Sequence, residues 1–148
     1  MKKLRVFYIF CSVLFCCPLN ASNPSTVVSS RVVSRQDSRM SFEELPTVAQ
    51  NILLFCFEQS DIVSIHKDKK KKEFVVNLKG GKKVVFNEMG EWILLDCKNE
   101  FAPFQLVPSK IRNHIASVYG PYVHPVYVEK MKHKFKIRLN NYIELIIK

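Results

Sequence analysis

Between Phe74 and Trp92 the chain reads FVVNLKGGKKVVFNEMGEW, with apolar and polar positions alternating at a period of two. Phe74, Val76 and Leu78 alternate with Val75, Asn77 and Lys79, which predicts a strand with one face to a core and the other outward. Gly80-Gly81 permits the positive φ angles of a tight hairpin turn. Val84 and Phe86 resume the inward face. Asn87 to Gly90 makes a second turn, and Trp92 to Leu95 extends the meander. Upstream, Asp61 to Lys67 reads as another strand, with Val63 and Ile65 on one face and Ser64 and His66 on the other. The lysine-rich Asp68 to Lys72 is its hairpin tip, an ordinary way to keep a sheet edge soluble.

The period changes on either side of this meander. Ser41 and Glu44 have the spacing of a capping box, and Leu45, Val48, Ala49, Ile52 and Cys56 follow at helical spacing, predicting a helix over residues 43–57. Leu53, Leu54, Phe55 and Phe57 make it apolar nearly all round. After Cys97 and a polar, Pro103-containing connection the pattern starts again. Val107-Pro108 matches Leu45-Pro46, and Ile111, Ile115 and Val118 supply a second stripe over residues 108–119. Val126 and Val128 echo Val63 and Ile65, and Phe135-Lys-Ile-Arg-Leu139 echoes Phe74 to Leu78. Asn140-Asn141 stands where the glycine turn was, ahead of Tyr142 to Ile147.

The chain therefore reads as a tandem duplication of a helix plus an antiparallel meander, over about 43–97 and 107–148, the second copy stopping before a counterpart of Gly90-Glu91-Trp92. Each helix has one apolar stripe and each meander one apolar face. Burying both at once predicts an α+β fold, with two helices packed on one face of a single continuous antiparallel sheet.

At 148 residues, one domain with a genuine core is expected. Its N-terminus fits an export signal: Lys2, Lys3 and Arg5, then an apolar run from Val6 to Cys17 broken only by Ser12, then Pro18-Leu19-Asn20-Ala21. We place a signal peptide at residues 1–21, a flexible linker at 22–42 and the folded domain at 43–148. The run is too short to span a bilayer as a helix. Lipid attachment at Cys16 or Cys17 is disfavoured, since Phe15 and Cys16 precede them where a small residue is needed. The expected location is periplasmic or secreted. Removing Lys2, Lys3 and Arg5 lowers the formal charge of +10 by three, leaving a basic protein. Such charge favours encounters with acidic proteins, nucleic acids or anionic surfaces, and is also what a solvated cationic surface carries.

Two cysteines remain after cleavage. Cys56 sits on the helical stripe and Cys97 shares strand parity with Ile93 and Leu95, so they are either a disulfide or two buried thiols. As a disulfide, a loop of that length stabilises by about 4 kcal/mol in the chain-entropy picture. His66, His114, His124 and His133 form no compact ligand spacing with Cys, His or carboxylates, so no metal is expected. Gly80-Gly81 is a turn and not a phosphate loop, and nothing calls for a cofactor. A catalytic constellation is lacking, so an enzyme is not expected. On the outward strand faces lie Asn77, Lys83, Tyr127, Lys136 and Arg138, a mixture suited to binding a protein or peptide. Trp92 joins them by parity, opposite Ile93 and Leu95, although a tryptophan beside a turn also packs under loops. The alternative is a basic binder of nucleic acid or anionic surfaces; a cysteine hydrolase built on Cys56 is the weakest reading, because the apolar stripe argues for an inert thiol.

The order Leu-Pro, helix, strand, Phe-x-Val-x-Leu, glycine turn, Val-Phe-Asn-x-x-Gly-x-Trp, then Val-Pro and a second round resembles the PepSY-like family, whose fold is similar to that of the β-lactamase inhibitor protein. The resemblance covers Phe42 to Lys148. It implies an exported protein with helices on one face of a continuous antiparallel sheet and a second face that binds a protein or peptide, in some members as an inhibitor. It carries over no catalytic motif and no target. Asn140-Asn141 and the missing second Gly-x-Trp depart from the family pattern and imply a shorter far edge of the sheet.

Overall fold

The computed structural model describes residues 39–148. The signal peptide, its cleavage site, Cys16, Cys17 and the linker up to Ser38 lie outside the described residues. Two helices, α1 (Thr47–Cys56) and α2 (Ser109–Tyr119), accompany seven strands. These are β1 (Ile62–Asp68), β2 (Glu73–Leu78), β3 (Lys83–Phe86), β4 (Trp92–Asp96), β5 (Pro125–Met131), β6 (Lys134–Leu139) and β7 (Glu144–Ile147). They form one open antiparallel sheet in strict sequence order, β1 to β7.

Ala49 and Leu53 of α1 and Ile111 and Ile115 of α2 share one buried cluster with Val76, Phe86, Leu95, Val128 and Ile137 from five strands. One sheet face therefore carries both helices, and alternate strand residues point at them. Stacking two apolar stripes on one apolar face removes both from water, which is the main stabilising term of such a two-layer domain.

Both helices begin directly after a proline, Pro46 or Pro108, held at φ −53°. A residue before proline is pushed to extended backbone, and Leu45 at φ −71°, ψ 149° obeys this. The helix expected over 43–57 is thus split into a 3₁₀ turn, Phe42–Glu44, and α1 proper. The Glu44 carboxylate does accept the Ser41 backbone N–H at 2.6 Å, but it closes the 3₁₀ turn and not α1. The stripe is also rotated from the expected one: Leu53 is buried while Val48 is half exposed.

Two further expectations need correction. Ordered structure begins ahead of the domain start expected at residue 43, because Arg39 bridges His66 and the Met40 N–H donates to the Ile65 carbonyl at 2.9 Å, tying this segment to the edge of β1. Val63 does not share the inward face of Ile65, since an extra residue between Ile62 and Ser64 bulges the strand and leaves Val63 65% exposed. Of the two alternatives for the cysteines, the structure has Cys56 and Cys97 as free thiols. Cys97 lies in the core cluster, whereas Cys56 sits half-buried on the last turn of α1, where Leu53 and Phe57 take the inward positions.

Gly90 fixes where α1 sits. Its φ is +82°, and a Cβ there would lie 2.8 Å from Pro46 Cβ and 3.0 Å from the Ala49 backbone nitrogen. The β3–β4 turn and the first turn of α1 are in direct backbone contact, an approach that only glycine allows. The turn itself is tied by the Asn87 side-chain carbonyl, which accepts from the N–H groups of Met89 and Glu91 at 3.0 Å each.

Candidate binding surface

The second sheet face, away from the helices, carries two cross-strand rows. One row runs Ser64, Asn77, Lys83, Asp96, Tyr127, Arg138, Glu144, each residue directly opposite the next on the neighbouring strand. Its neighbour runs His66, Val75, Val85, Leu94, Glu129, Lys136, Ile146. Directly opposed side chains on one face are the pairs that interact in a sheet. Five of the six residues expected on this surface, Asn77, Lys83, Tyr127, Lys136 and Arg138, are brought together here.

Trp92 is not. A second bulge, with Ile93 as the extra residue between Trp92 and Leu94, reverses the parity of β4. Trp92 therefore joins Leu95 in the core at 6% exposure, and Ile93 and Leu94 both line the open face. The Lys130 ammonium lies 3.9 Å over the Trp92 ring. Burial lowers the Lys130 pKa, against the opposing pull of Glu91.

The polar row is held by short-range contacts. Asn77 donates to the Ser64 hydroxyl at 3.0 Å. Asp96, buried apart from a small fraction of its side chain, accepts from the Lys98 ammonium at 2.9 Å and from the Lys98 backbone N–H at 3.0 Å, with an Arg138 nitrogen at 3.7 Å. Burial on its own would raise the Asp96 pKa, but the Lys98 hydrogen bonds and the two cations outweigh it and hold the carboxyl below the ordinary range. The Tyr127 hydroxyl donates to Glu129 at 2.9 Å, and the Arg138 guanidinium stacks 5.3 Å above the Tyr127 ring. Burial, then the Glu129 contact, pushes the Tyr127 phenol up to about 12. Lys136 reaches Glu144 at 3.7 Å.

The apolar row forms a shallow cleft of about 280 Å³ in which Val75, Val85, Ile93 and Leu94 are framed by charged side chains including Glu73, Lys83 and Glu129. A small apolar patch with charges of both signs around it suits an extended peptide or a protein loop carrying charges of its own. The thiols offer little to chemistry. Burial raises both, Cys97 to about 12, the opposite of the lowered pKa that an attacking thiol needs. Among the described residues no three His, Cys, Asp or Glu side chains cluster as metal ligands.

Asp96, which organises the polar row, was not among the residues expected from sequence. The available signal was a single acidic residue at outward parity between Leu95 and Cys97. Phe101 and Phe104 were passed over as part of a connection; both are largely exposed.

Two helices on one face of a single open antiparallel sheet place the protein in the α+β class, with one sheet face uncovered among the described residues. The family profile described as "Putative beta-lactamase-inhibitor-like, PepSY-like" matches residues 72–148, and the chain belongs to this family. Similar solved structures come from Bacteroides. A "putative calcium-regulated periplasmic protein" of Bacteroides thetaiotaomicron is 25% identical with a TM-score of 0.66, the match covering 73% of this chain and 86% of that one. A "putative periplasmic protein" of Bacteroides vulgatus ATCC 8482 is 25% identical with a TM-score of 0.68, covering 76% and 90%. Another from the same strain, of unknown function, is 26% identical with a TM-score of 0.64, covering 73% and 87%. No curated protein sequence matches the chain.

Proposed function

We propose that this protein is an exported, non-catalytic binding module of the cell envelope, periplasmic or secreted, which takes a protein or peptide on the open face of its sheet in an inhibitor-like manner. The observation that carries this reading is the pair of cross-strand rows, in which Lys83 and Glu129 border the apolar patch of Val75, Val85 and Leu94 while Tyr127, Lys136 and Arg138 continue the same face across β5 and β6. The basic start and apolar run of residues 1–21 support export, as do the periplasmic neighbours, and no helix among the described residues is long and apolar enough to cross a membrane.

The same reading takes the two helix-plus-meander units as a tandem duplication. Twin features support it: each helix follows a proline at φ −53°, and the first strand of each unit is bulged at a valine, Val63 or Val126. A duplicated scaffold gives one continuous face wide enough for a protein partner.

The face carries Asp96, Glu129 and Glu144 interleaved with its cations, which favours a partner of mixed charge over a polyanion such as nucleic acid. Affinity capture from envelope extract tests both. The wild-type chain should retain a protein partner that Lys83→Ala with Lys136→Glu loses while the thermal midpoint stays unchanged. Retention by the double variant rejects this face. Capture of nucleic acid that falls steeply between low and moderate salt would favour the alternative.

A further inference from the structure

A second concave site lies on the helix side of the molecule, away from the rows described above. The connection from β4 to α2 turns back on itself, with the Ala102 N–H bonded to the Pro125 carbonyl at 2.9 Å. Together with the segment leading into β5, it encloses an apolar cleft of about 360 Å³. The floor is Val107 and Ile115, both buried; the walls are Phe101, Phe104, Val123 and His124. Phe101 and Phe104 remain 70% and 61% exposed on these walls. Leaving two phenylalanine rings in water forgoes burial that favours a folded core, so an occupant that covers them gains that surface.

The cleft also has a defined charge. Arg112 of α2 lines it, its Nε donating to the Val107 carbonyl at 3.1 Å and its guanidinium lying 5.5 Å over the Phe104 ring. These two contacts orient the side chain, and no carboxylate among the described residues is within ion-pair distance of it. His124 packs its ring edge-on to Phe101, and its Nδ1–H donates to the Tyr122 carbonyl at 3.2 Å. Burial lowers its pKa, against the opposing pull of the Tyr122 hydrogen bond, so the fixed positive charge of the cleft is Arg112.

We propose that this cleft binds a small amphipathic monoanion, a free carboxylic acid with an alkyl or aromatic body. The body lies between Phe101 and Phe104 over Val107 and Ile115, and the carboxylate pairs with the outward nitrogens of Arg112. The volume is at the lower end of the range of about 300–1,000 Å³ for ligand pockets, which fits a small free acid better than a folded segment. An arginine with spare nitrogens beside an apolar wall matches a carboxylate on a hydrocarbon better than it matches a neutral ligand.

The test uses the chain from Ser22 to Lys148, with decanoate as probe and decan-1-ol as its uncharged counterpart. Displacement of the fluorescent amphiphile 1-anilinonaphthalene-8-sulfonate is the readout. Decanoate should displace it from wild type and from the surface control Lys110→Gln, and should weaken about tenfold or more with Arg112→Gln, the loss of a charged hydrogen-bond partner. Arg112→Lys should recover part of the affinity, which separates loss of charge from loss of fold. Phe104→Ala should weaken both decanoate and the fluorophore. Equal affinity of decanoate for Arg112→Gln and wild type overturns the proposal, as does displacement by decan-1-ol as strong as by decanoate. A concentration-dependent dimer abolished by Phe104→Ala would assign the cleft to a second copy and also overturn it.

Discussion

Replacing Gly90 by alanine probes how α1 is seated on the sheet. Gly90 has φ +82°, where an L-residue is strained, and its added Cβ would meet Pro46 Cβ at 2.8 Å, the Ala49 nitrogen at 3.0 Å and Val48 Cβ at 3.1 Å. These atoms belong to or adjoin the helix backbone and cannot rotate aside. Gly80 is a matched control, because its φ is +72° but the nearest atom to an added Cβ is Glu100 Oε1, at 3.4 Å on a flexible side chain. Gly80→Ala should therefore cost only the left-handed backbone term, roughly 1–2 kcal/mol. Gly90→Ala should add the displacement of α1, an overpacking cost of about 1–3 kcal/mol, for roughly 2–5 kcal/mol in total. Urea denaturation measures both, provided the m-value is unchanged so that the midpoint reports stability. If the two variants lose the same stability within about 0.5 kcal/mol, the close contact between the turn and the helix is wrong.

Three more outcomes follow from the packing and the charges. Phe86→Ala, at a fully buried ring, should cost about 3–5 kcal/mol by urea denaturation, and Phe135→Ala clearly less, because Phe135 is only partly covered beside the core. Asp96 has a folded-state pKa below its unfolded value, so its contribution is complete above about pH 4 and is lost as pH falls through the folded value. Asp96→Asn should therefore flatten the drop in urea midpoint between pH 6 and pH 3, and an unchanged slope would show that the Lys98 and Arg138 contacts do not matter. In a chain starting at Ser22, a thiol reagent should count two thiols after denaturation without reductant, with Cys97 unreactive until the protein unfolds; a count of zero would restore the disulfide.

What the sequence revealed follows from periodicity. Alternation sets the sheet faces and puts Asn77, Lys83, Tyr127 and Arg138 on the outward one; that they form one cross-strand row is a matter of register, which alternation does not give. Val107-Pro108 marked the start of α2, whereas the capping-box spacing of Ser41 and Glu44 drew the first helix start to residue 43, ahead of Thr47, because the extended backbone that Pro46 imposes on Leu45 was outweighed. Bulges defeat this reasoning. Val63, Ile93 and Val126 each add a residue to one strand and reverse its parity from that point, so Trp92 and Leu95, three apart, share the core face. Parity also assigns a face but no distance, which is why it left a disulfide and two thiols equally open for Cys56 and Cys97, which are free in the structure. The acid-binding cleft lies between a loop, a helix flank and a strand start, where no single period applies.

Site-specific photocrosslinking in intact cells tests the assignment of function to the open sheet face most directly. A photoreactive side chain at Lys136 or Val75, both on that face, is compared with one at Asn113, which is exposed on α2. Mass spectrometry of the products should identify the same envelope protein from Lys136 and Val75 and not from Asn113. Crosslinks to a protein partner from Asn113 alone would place recognition on the helix side and contradict the account.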